Sequence, residues 1–221
     1  GFAVALAGVF ALVHLVFAPL ALARSAESFR SAERYFTGQS STLPNDPSES
    51  VVLVSAPNFY LASLAPVAQA ARGEALPADL LTLATGVYGV EVERLDARTL
   101  RVRPDGGFLL PPGQAPPGQV APAASFLHFL QTADQLYRRL EPFTTGERIR
   151  RGEVIIEVVE VTPDGRPATV DFRFPAALEE RRWIRFVEWR GYEPWPLPDV
   201  GGVARIEALG ASNREGQHPA R

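Results

Sequence analysis

The sequence predicts an α+β protein: one transmembrane helix, then a soluble domain with a βαβ unit, a β-hairpin, one amphipathic helix and a C-terminal antiparallel β-meander. Three observations support this prediction. An uncharged apolar run opens the chain. Short β-branched runs follow at spacings typical of strands and helices in alternation. The last third alternates apolar and polar residues, as a sheet with one solvated face does.

The composition of the 221 residues excludes several classes of function. The net charge is −3 and the basic residues are scattered, whereas a nucleic-acid-binding protein carries a basic patch. The absence of Cys excludes disulfides, Cys-ligated zinc, iron–sulfur clusters and a thiol nucleophile. All 22 basic residues are Arg, so no lysine Schiff base or P-loop lysine is present. We therefore expect no cofactor and no nucleic-acid partner.

Residues 1–23 contain no charged side chain. As a helix they would extend roughly 35 Å, which exceeds the roughly 30 Å of a bilayer's hydrocarbon core. Ala21-Leu22-Ala23 has the form of a signal-peptide cleavage site, but the apolar run is too long for a signal peptide and no basic segment precedes it. We therefore predict an uncleaved transmembrane helix. Because the chain opens beside this run with Gly1 rather than Met, we expect it to be a fragment of a polytopic membrane protein.

Residues 24–50 are predicted to form a juxtamembrane amphipathic helix followed by a polar linker. Arginine and aromatic side chains of this helix suit the headgroup level of the bilayer. The predicted membrane-interface residues are Arg24, Phe29, Arg30, Arg34, Tyr35 and Phe36. By the positive-inside rule, these arginines would favour a cytoplasmic position for the segment that follows the helix. The rule compares the two flanks of a transmembrane helix, however, and only one flank is visible here. In a bacterial inner membrane we favour an extracytoplasmic domain, with a cytoplasmic one as the alternative.

The soluble domain is predicted to occupy residues 51–209. Residues 51–55 (VVLVS) are typical of a buried strand, a helical pattern covers 59–72, and 80–84 (LLTLA) form a second apolar run. This order predicts a βαβ unit. Pro66 should kink or split the helix.

The alternating segments 90–95 and 100–104 predict a hairpin, with Val90, Val92, Leu100 and Val102 facing inward. A Pro/Gly-rich loop (111–123) and an amphipathic helix (124–141) follow. Strands at 153–161, 168–174 and 183–190 predict the meander, and residues 210–221 a flexible tail.

Four residues form the predicted ligand site. In open α/β sheets, ligands bind beyond the carboxyl ends of parallel strands, and helix N-termini hold anions. These positions are Ser55, Asn58, Thr85 and Gly86. The alternative is that Asn58 only caps its helix and Ser55 only ends its strand.

Two charged clusters have surface interpretations. Acidic pairs can hydrolyse glycosides, and the acidic residues here are Glu153, Glu157, Glu160 and Asp171. However, Glu157 and Glu160 lie three positions apart and should face opposite sides of a regular strand, which favours a solvated surface. The basic cluster Arg148, Arg150 and Arg151 would meet lipid headgroups, meet an acidic partner or lie in a solvated loop. The three His residues lie far apart, so we predict no catalytic residue and no metal ligand.

Three stretches carry a resemblance to a known group of proteins. They are VVLVSAPNFYLASLAPVAQAARG (51–73), DARTLRVRPDGGFL (96–109) and VIIEVVEVTPDGRPATVDFRF (154–174). Together they resemble the C-terminal soluble region of large uncharacterised bacterial integral membrane proteins. The resemblance covers most of residues 1–200 and implies a membrane-embedded N-terminal portion. It carries over no functional residue.

The expected function is interaction with, or structural support of, the membrane portion, without catalysis by this chain. The expected partners are the lipid bilayer and other transmembrane helices of the same protein or complex. One alternative is an accessory or substrate-binding domain of a membrane-embedded enzyme such as a lipid-linked glycosyltransferase. Another is a small-ligand or anion-binding sensor domain.

Overall fold

The structure is a computed structural model that describes residues 15, 17–20, 43–56, 59–85, 88–108, 141–187 and 190–208. These ranges are mostly β-sheet with few helices and form two sheets, which confirms the α+β class. In chain order the elements are β1 (Ser50–Ala56), α1 (Phe59–Ala71), β2 (Asp79–Thr85), β3 (Val90–Arg94), β4 (Thr99–Pro104), β5 (Arg148–Arg151), β6 (Val154–Val161), β7 (Pro167–Arg173), a 3-10 helix (Leu178–Glu180), β8 (Arg182–Val187), β9 (Gly191–Pro194) and β10 (Val203–Ile206).

The predicted βαβ unit is confirmed. Strands β1 and β2 are parallel neighbours joined through α1, with Val51 opposite Leu80 and Ala56 opposite Thr85. They belong to a four-stranded sheet of order β2-β1-β8-β9, here named the small sheet. Every residue from Val51 to Ala56 is buried, because β1 is covered on both faces. That explains why its sequence is a continuous apolar run and does not alternate.

The residues of β1 alternate between two cores. Val52 and Val54 pack into the larger cluster, which lies between the small sheet and the second sheet. Val51 and Leu53 pack into a smaller cluster with Ala65 of α1 and with Leu43. The described domain is therefore layered as helix, small sheet and second sheet, with β1 in the middle layer.

The second sheet has six strands in the order β10-β3-β4-β7-β6-β5 and is here named the large sheet. Both predicted hairpins are confirmed, as β3–β4 and β6–β7. The four residues predicted to face inward are fully buried in the core: Val90, Val92, Leu100 and Val102. The β6–β7 turn uses Gly165 at φ +80°, which is the left-handed conformation that glycine tolerates.

The predicted C-terminal meander is wrong. Strand β8 does not pair with β7 but joins the small sheet, parallel to β1, with Val52 opposite Trp183. Strand β7 already has β4 on one side and β6 on the other. In addition, Trp183 and Ile184 are both buried although adjacent side chains point to opposite faces of a strand. A strand buried on both faces must belong to a sheet that is covered on both faces. The small sheet is covered by α1 on one face and by the large sheet on the other.

Three short strands were not predicted: β5, β9 and β10. Each has only four residues, too few for a clear alternation of apolar and polar positions. Strand β5 comprises the basic cluster that the sequence placed before a strand. Instead it is itself the outermost strand of the large sheet and pairs with β6.

Several predicted segments lie outside the described residues. They include residues 24–42, the loop at 111–123, the amphipathic helix except Glu141, and the tail at 210–221. Of the apolar run at 1–23, only residues 15 and 17–20 are described. Within the described ranges, no helix is both long enough and apolar enough to cross a membrane.

We predict that Trp183 is a major contributor to stability. Its ring packs edge-on against Phe174 with centroids 5.6 Å apart, and its indole N–H donates to the carbonyl of Leu178 at 2.7 Å. Trp183→Ala should lower the free energy of unfolding by about 3–5 kcal/mol. Trp183→Phe should cost less, about 1–3 kcal/mol, because it keeps most of the ring but leaves a buried carbonyl without its donor.

Chemical denaturation followed by circular dichroism measures both changes. The matched control is Val203→Ala, whose side chain is exposed on β10 and should change stability by less than about 0.5 kcal/mol. Equal effects of the Trp183 and Val203 substitutions would contradict the placement of β8 in the core.

Candidate functional site

The structure places two of the four predicted ligand-site residues at the same end of the small sheet, on opposite faces because they are one register step apart. Ser55 and Thr85 lie at the carboxyl ends of the parallel neighbours β1 and β2, where Ala56 pairs with Thr85 and Ser55 with Ala84. Ser55 is only 2% exposed, whereas Thr85 is partly exposed. Asn58 and Gly86 lie outside the described residues. The observed part of this site is therefore a buried serine and a partly exposed threonine at the end of the small sheet.

The predicted membrane-interface residues all lie outside the described residues. They are Arg24, Phe29, Arg30, Arg34, Tyr35 and Phe36.

The outer face of the large sheet, which faces away from the small sheet, carries a row of charges. In register order across strands β3, β4, β7, β6 and β5, this row consists of Glu93, Arg101, Asp171, Glu157 and Arg148. The guanidinium of Arg101 binds Asp171 through two bonds, with Nε–Oδ1 at 2.7 Å and Nη2–Oδ2 at 2.9 Å. This hydrogen bond with Asp171 raises the pKa of Arg101, which stays charged.

A second row of polar contacts lies beside the first. Arg103 Nη1 is 2.9 Å from Glu91 Oε1 and 3.3 Å from Glu93 Oε2. The Thr169 hydroxyl donates to Glu160 Oε2 at 2.6 Å. Most acids in these rows contact an arginine. Asp171 and Glu157 are adjacent acids, and each is paired on its other side with an arginine, Arg101 and Arg148 respectively.

The expectation that Glu157 and Glu160 face opposite sides is wrong. Residue Val159 is an extra residue in β6, because Val158 pairs with Val170 while Glu160 pairs with Thr169. A bulge of this kind shifts the alternation by one position. Glu160 therefore shares the outer face with Glu157, and its charge adds to the raised pKa of Arg101. The acids still belong to a surface network, with Glu157 bound to Arg148 at 2.8 Å.

Strand β5 forms the basic edge of the large sheet. All four of its residues are exposed, and three of them are arginines: Arg148, Arg150 and Arg151. The Nε–H of Arg150 donates to the carbonyl of Gly152 at 3.0 Å, and Arg151 Nη2 donates to the carbonyl of Leu80 on β2 at 3.0 Å. The second bond shows that β5 and β2, one edge strand from each sheet, lie on the same side of the domain.

An open cavity of about 330 Å³ lies near the β5–β6 turn. Its lining includes Asp96, Arg98, Glu153, Ile155, Arg173 and Pro175. A hydrogen bond from the backbone N–H of Arg98 lowers the pKa of Asp96. Because two carboxylates and two guanidiniums share this lining, it selects neither anions nor cations by charge alone.

One buried cation was missed by the sequence reasoning. Arg94 is 7% exposed and lies at the end of β3. Its Nη1 donates to the carbonyl of Pro198 at 3.3 Å, its Nε to the carbonyl of Asp96 at 3.2 Å, and its Nη2 to Glu179. Arg94 therefore ties the β3–β4 turn, the 3-10 helix and the segment before β10 together, which is a structural role.

Comparisons with known proteins add no assignment: no family model, no curated protein and no solved structure matches this chain. Within the described ranges, no group of three or more His, Asp or Glu residues is arranged to hold a metal ion.

We predict an acid-dependent loss of stability through Glu179. The hydrogen bond from Arg94 lowers the pKa of Glu179 below its ordinary value of 4.5 in the folded protein. A lowered folded-state pKa contributes stability above the unfolded pKa, and that contribution is lost as the pH falls through the folded pKa. Glu179→Gln should therefore lower Tm at pH 7 but have a smaller effect near pH 3.

Thermal unfolding between pH 7 and pH 3 measures this difference. Glu180→Gln is the matched control, since Glu180 neighbours Glu179 on the same 3-10 helix. An unchanged Tm difference between Glu179→Gln and the wild type across the pH range would contradict the role of the Arg94 contact.

Proposed function

We propose that this chain is a membrane-anchored interaction domain of a bacterial inner-membrane protein. Residues 1–23 cross the bilayer, and the α+β domain supports the membrane portion or binds a partner beside it. The single observation that carries the interaction role is the basic edge, a sheet edge with four exposed residues and three arginines. Exposed sheet edges pair readily with other chains, and proteins usually cover or blunt them.

The membrane anchor is supported by the sequence. The opening run of 23 residues has no charge and is long enough to span a bilayer. The resemblance to the soluble regions of large integral membrane proteins supports the same arrangement. An extracytoplasmic position of the domain remains the favoured orientation.

We predict that the full chain is an integral membrane protein. Expressed in a bacterium, it should sediment with membranes, resist extraction by alkaline carbonate and dissolve only with detergent. The double substitution Leu12→Arg/Val13→Arg should release much of the chain, because each arginine at the centre of a membrane helix costs about 2.5–3.5 kcal/mol. The control Leu12→Ala/Val13→Ala should stay in the membrane. Extraction of the wild-type chain by carbonate would contradict the anchor.

A ligand-binding role at the end of the small sheet is a second candidate. The position of the partly exposed Thr85 at the carboxyl end of a parallel strand supports it. In this role the domain would be an anion sensor, or it would bind substrate for a membrane-embedded enzyme such as a lipid-linked glycosyltransferase.

We predict for this second candidate that inorganic phosphate raises Tm by mass action on the folded state. Thr85→Val should reduce this rise, since it removes the hydroxyl of the partly exposed residue, whereas Ser55→Ala should change it less because Ser55 is buried. The control Thr82→Val, in the middle of β2, should leave it intact. A phosphate response of the same size in all four proteins would contradict binding at this end of the sheet.

A further inference from the structure

The backbone of β5 has hydrogen-bonding groups directed away from the sheet. Arg151 pairs with Val154 across the two-residue turn at Gly152 and Glu153. In such hairpins the two residues that flank the turn form backbone hydrogen bonds with each other. Every second residue along the strand then forms the same bonds with its register partner. The bond from Val158 N–H to the carbonyl of Glu147, at 2.9 Å, fits this pattern. The N–H and C=O groups of Arg148 and Arg150 therefore point outward, toward the position of a further strand.

The charges on this edge are only partly offset by the described residues. Arg148 binds Glu157 at 2.8 Å. The side-chain bonds of Arg150 and Arg151 go to main-chain carbonyls, of Gly152 and Leu80 respectively. A carbonyl satisfies a donor but does not neutralise a guanidinium charge. Among the described residues, Arg150 and Arg151 thus have no carboxylate partner, although Glu147 and Glu153 flank the strand in the sequence.

The side chains of β5 alternate in type. Arg148 and Arg150 lie on the outer face with Glu157, because Arg148 is the register partner of Glu157. Ile149 lies on the other face and is 39% exposed. An added strand would therefore meet a basic, then an apolar, then a basic residue along β5. The complementary pattern is an acid, an apolar residue and an acid.

We propose that β5 binds an acidic, extended peptide segment of a partner protein by adding it to the large sheet as a seventh strand. The backbone of Arg148 and Arg150 bonds the segment, its acids face Arg148 and Arg150, and the apolar residue between them packs on Ile149. This inference rests on the interaction role proposed above, and it does not depend on the membrane anchor.

Charge argues against a second copy of the chain as the occupant. Pairing β5 with β5 would bring arginines of the two copies opposite each other, and like charges directly opposite across strands are destabilising. Arginine on an edge strand is one of the devices that oppose such self-pairing. An acidic segment turns the same residues into a favourable contact.

The test uses the full chain in nanodiscs of neutral phosphatidylcholine. Fluorescence anisotropy measures binding of the capped peptide Glu-Val-Glu-Val-Glu, with Lys-Val-Lys-Val-Lys as its charge-reversed control. We expect the glutamate peptide alone to bind, with affinity that falls as salt rises. Arg150→Ala should weaken binding by about two- to fivefold, as loss of an exposed ion pair does. Arg205→Ala, an exposed arginine on the opposite edge strand β10, is the matched control and should have no effect.

A backbone substitution separates strand addition from attraction by charge. Arg150→Pro and Arg150→Ala remove the same charge, but only proline removes the outward N–H. Proline is tolerated where an edge N–H faces away from the sheet, so the fold should persist by circular dichroism. Arg150→Pro should bind about fivefold more weakly than Arg150→Ala, the effect of one lost hydrogen bond. A peptide N-methylated at the residues facing β5 keeps every charge and should also bind weakly.

Three results would overturn the proposal. One is equal binding of the N-methylated and unmodified peptides, which would show attraction by charge alone. Another is that the peptide does not bind, whereas phosphatidylglycerol vesicles bind and Arg150→Ala weakens that binding. This result would assign the edge to lipid. The third is a dimer in nanodiscs that Arg150→Pro dissociates, which would assign it to a second copy. Carbonate extraction tests the anchor separately, so each proposal can fail without the other.

Discussion

Burial of β1 on both faces is the constraint on which the rest of the structure depends. Its alternate side chains enter two cores, one shared with the large sheet and one shared with α1. Its two backbone edges are occupied by β2 and β8, both parallel to it. A central parallel strand with apolar side chains on both faces needs a layer of structure on each face. Without these layers its apolar side chains would be exposed to water. The helix and the large sheet are these layers.

The same constraint explains the polar side of the domain. The apolar residues of the large sheet lie on the face toward β1, where Val92 and Val102 are fully buried. Its other face then carries the charges, and these pair across strands, as in the contact of Arg101 with Asp171. Solvent-exposed pairs each contribute only about 0.2–1 kcal/mol, whereas Arg101 and Asp171 are partly buried. The charged pairs keep the outer face polar, while Arg150 and Arg151 at its β5 edge have no carboxylate partner among the described residues.

Local patterns in the sequence were sufficient to predict strand pairing where the paired strands are consecutive in the chain. The β3–β4 and β6–β7 hairpins and the βαβ unit follow from alternation, turn residues and short connections. The position of β8 did not follow, because its partner β1 lies about 130 residues earlier in the chain. The bulge at Val159 was also missed, since one extra residue in β6 leaves the composition of the strand unchanged.

For the candidate sites, the sequence by itself determined which residue types were available. It placed Ser55 and Thr85 at strand ends and grouped Arg148, Arg150 and Arg151 in one short segment. Only the tertiary structure decided that Ser55 is buried, that Glu160 shares a face with Glu157, and that the basic segment is the edge strand of a six-stranded sheet. The physical reason is that burial and strand pairing depend on residues distant in the chain, whereas charge and turn propensity are properties of the segment itself.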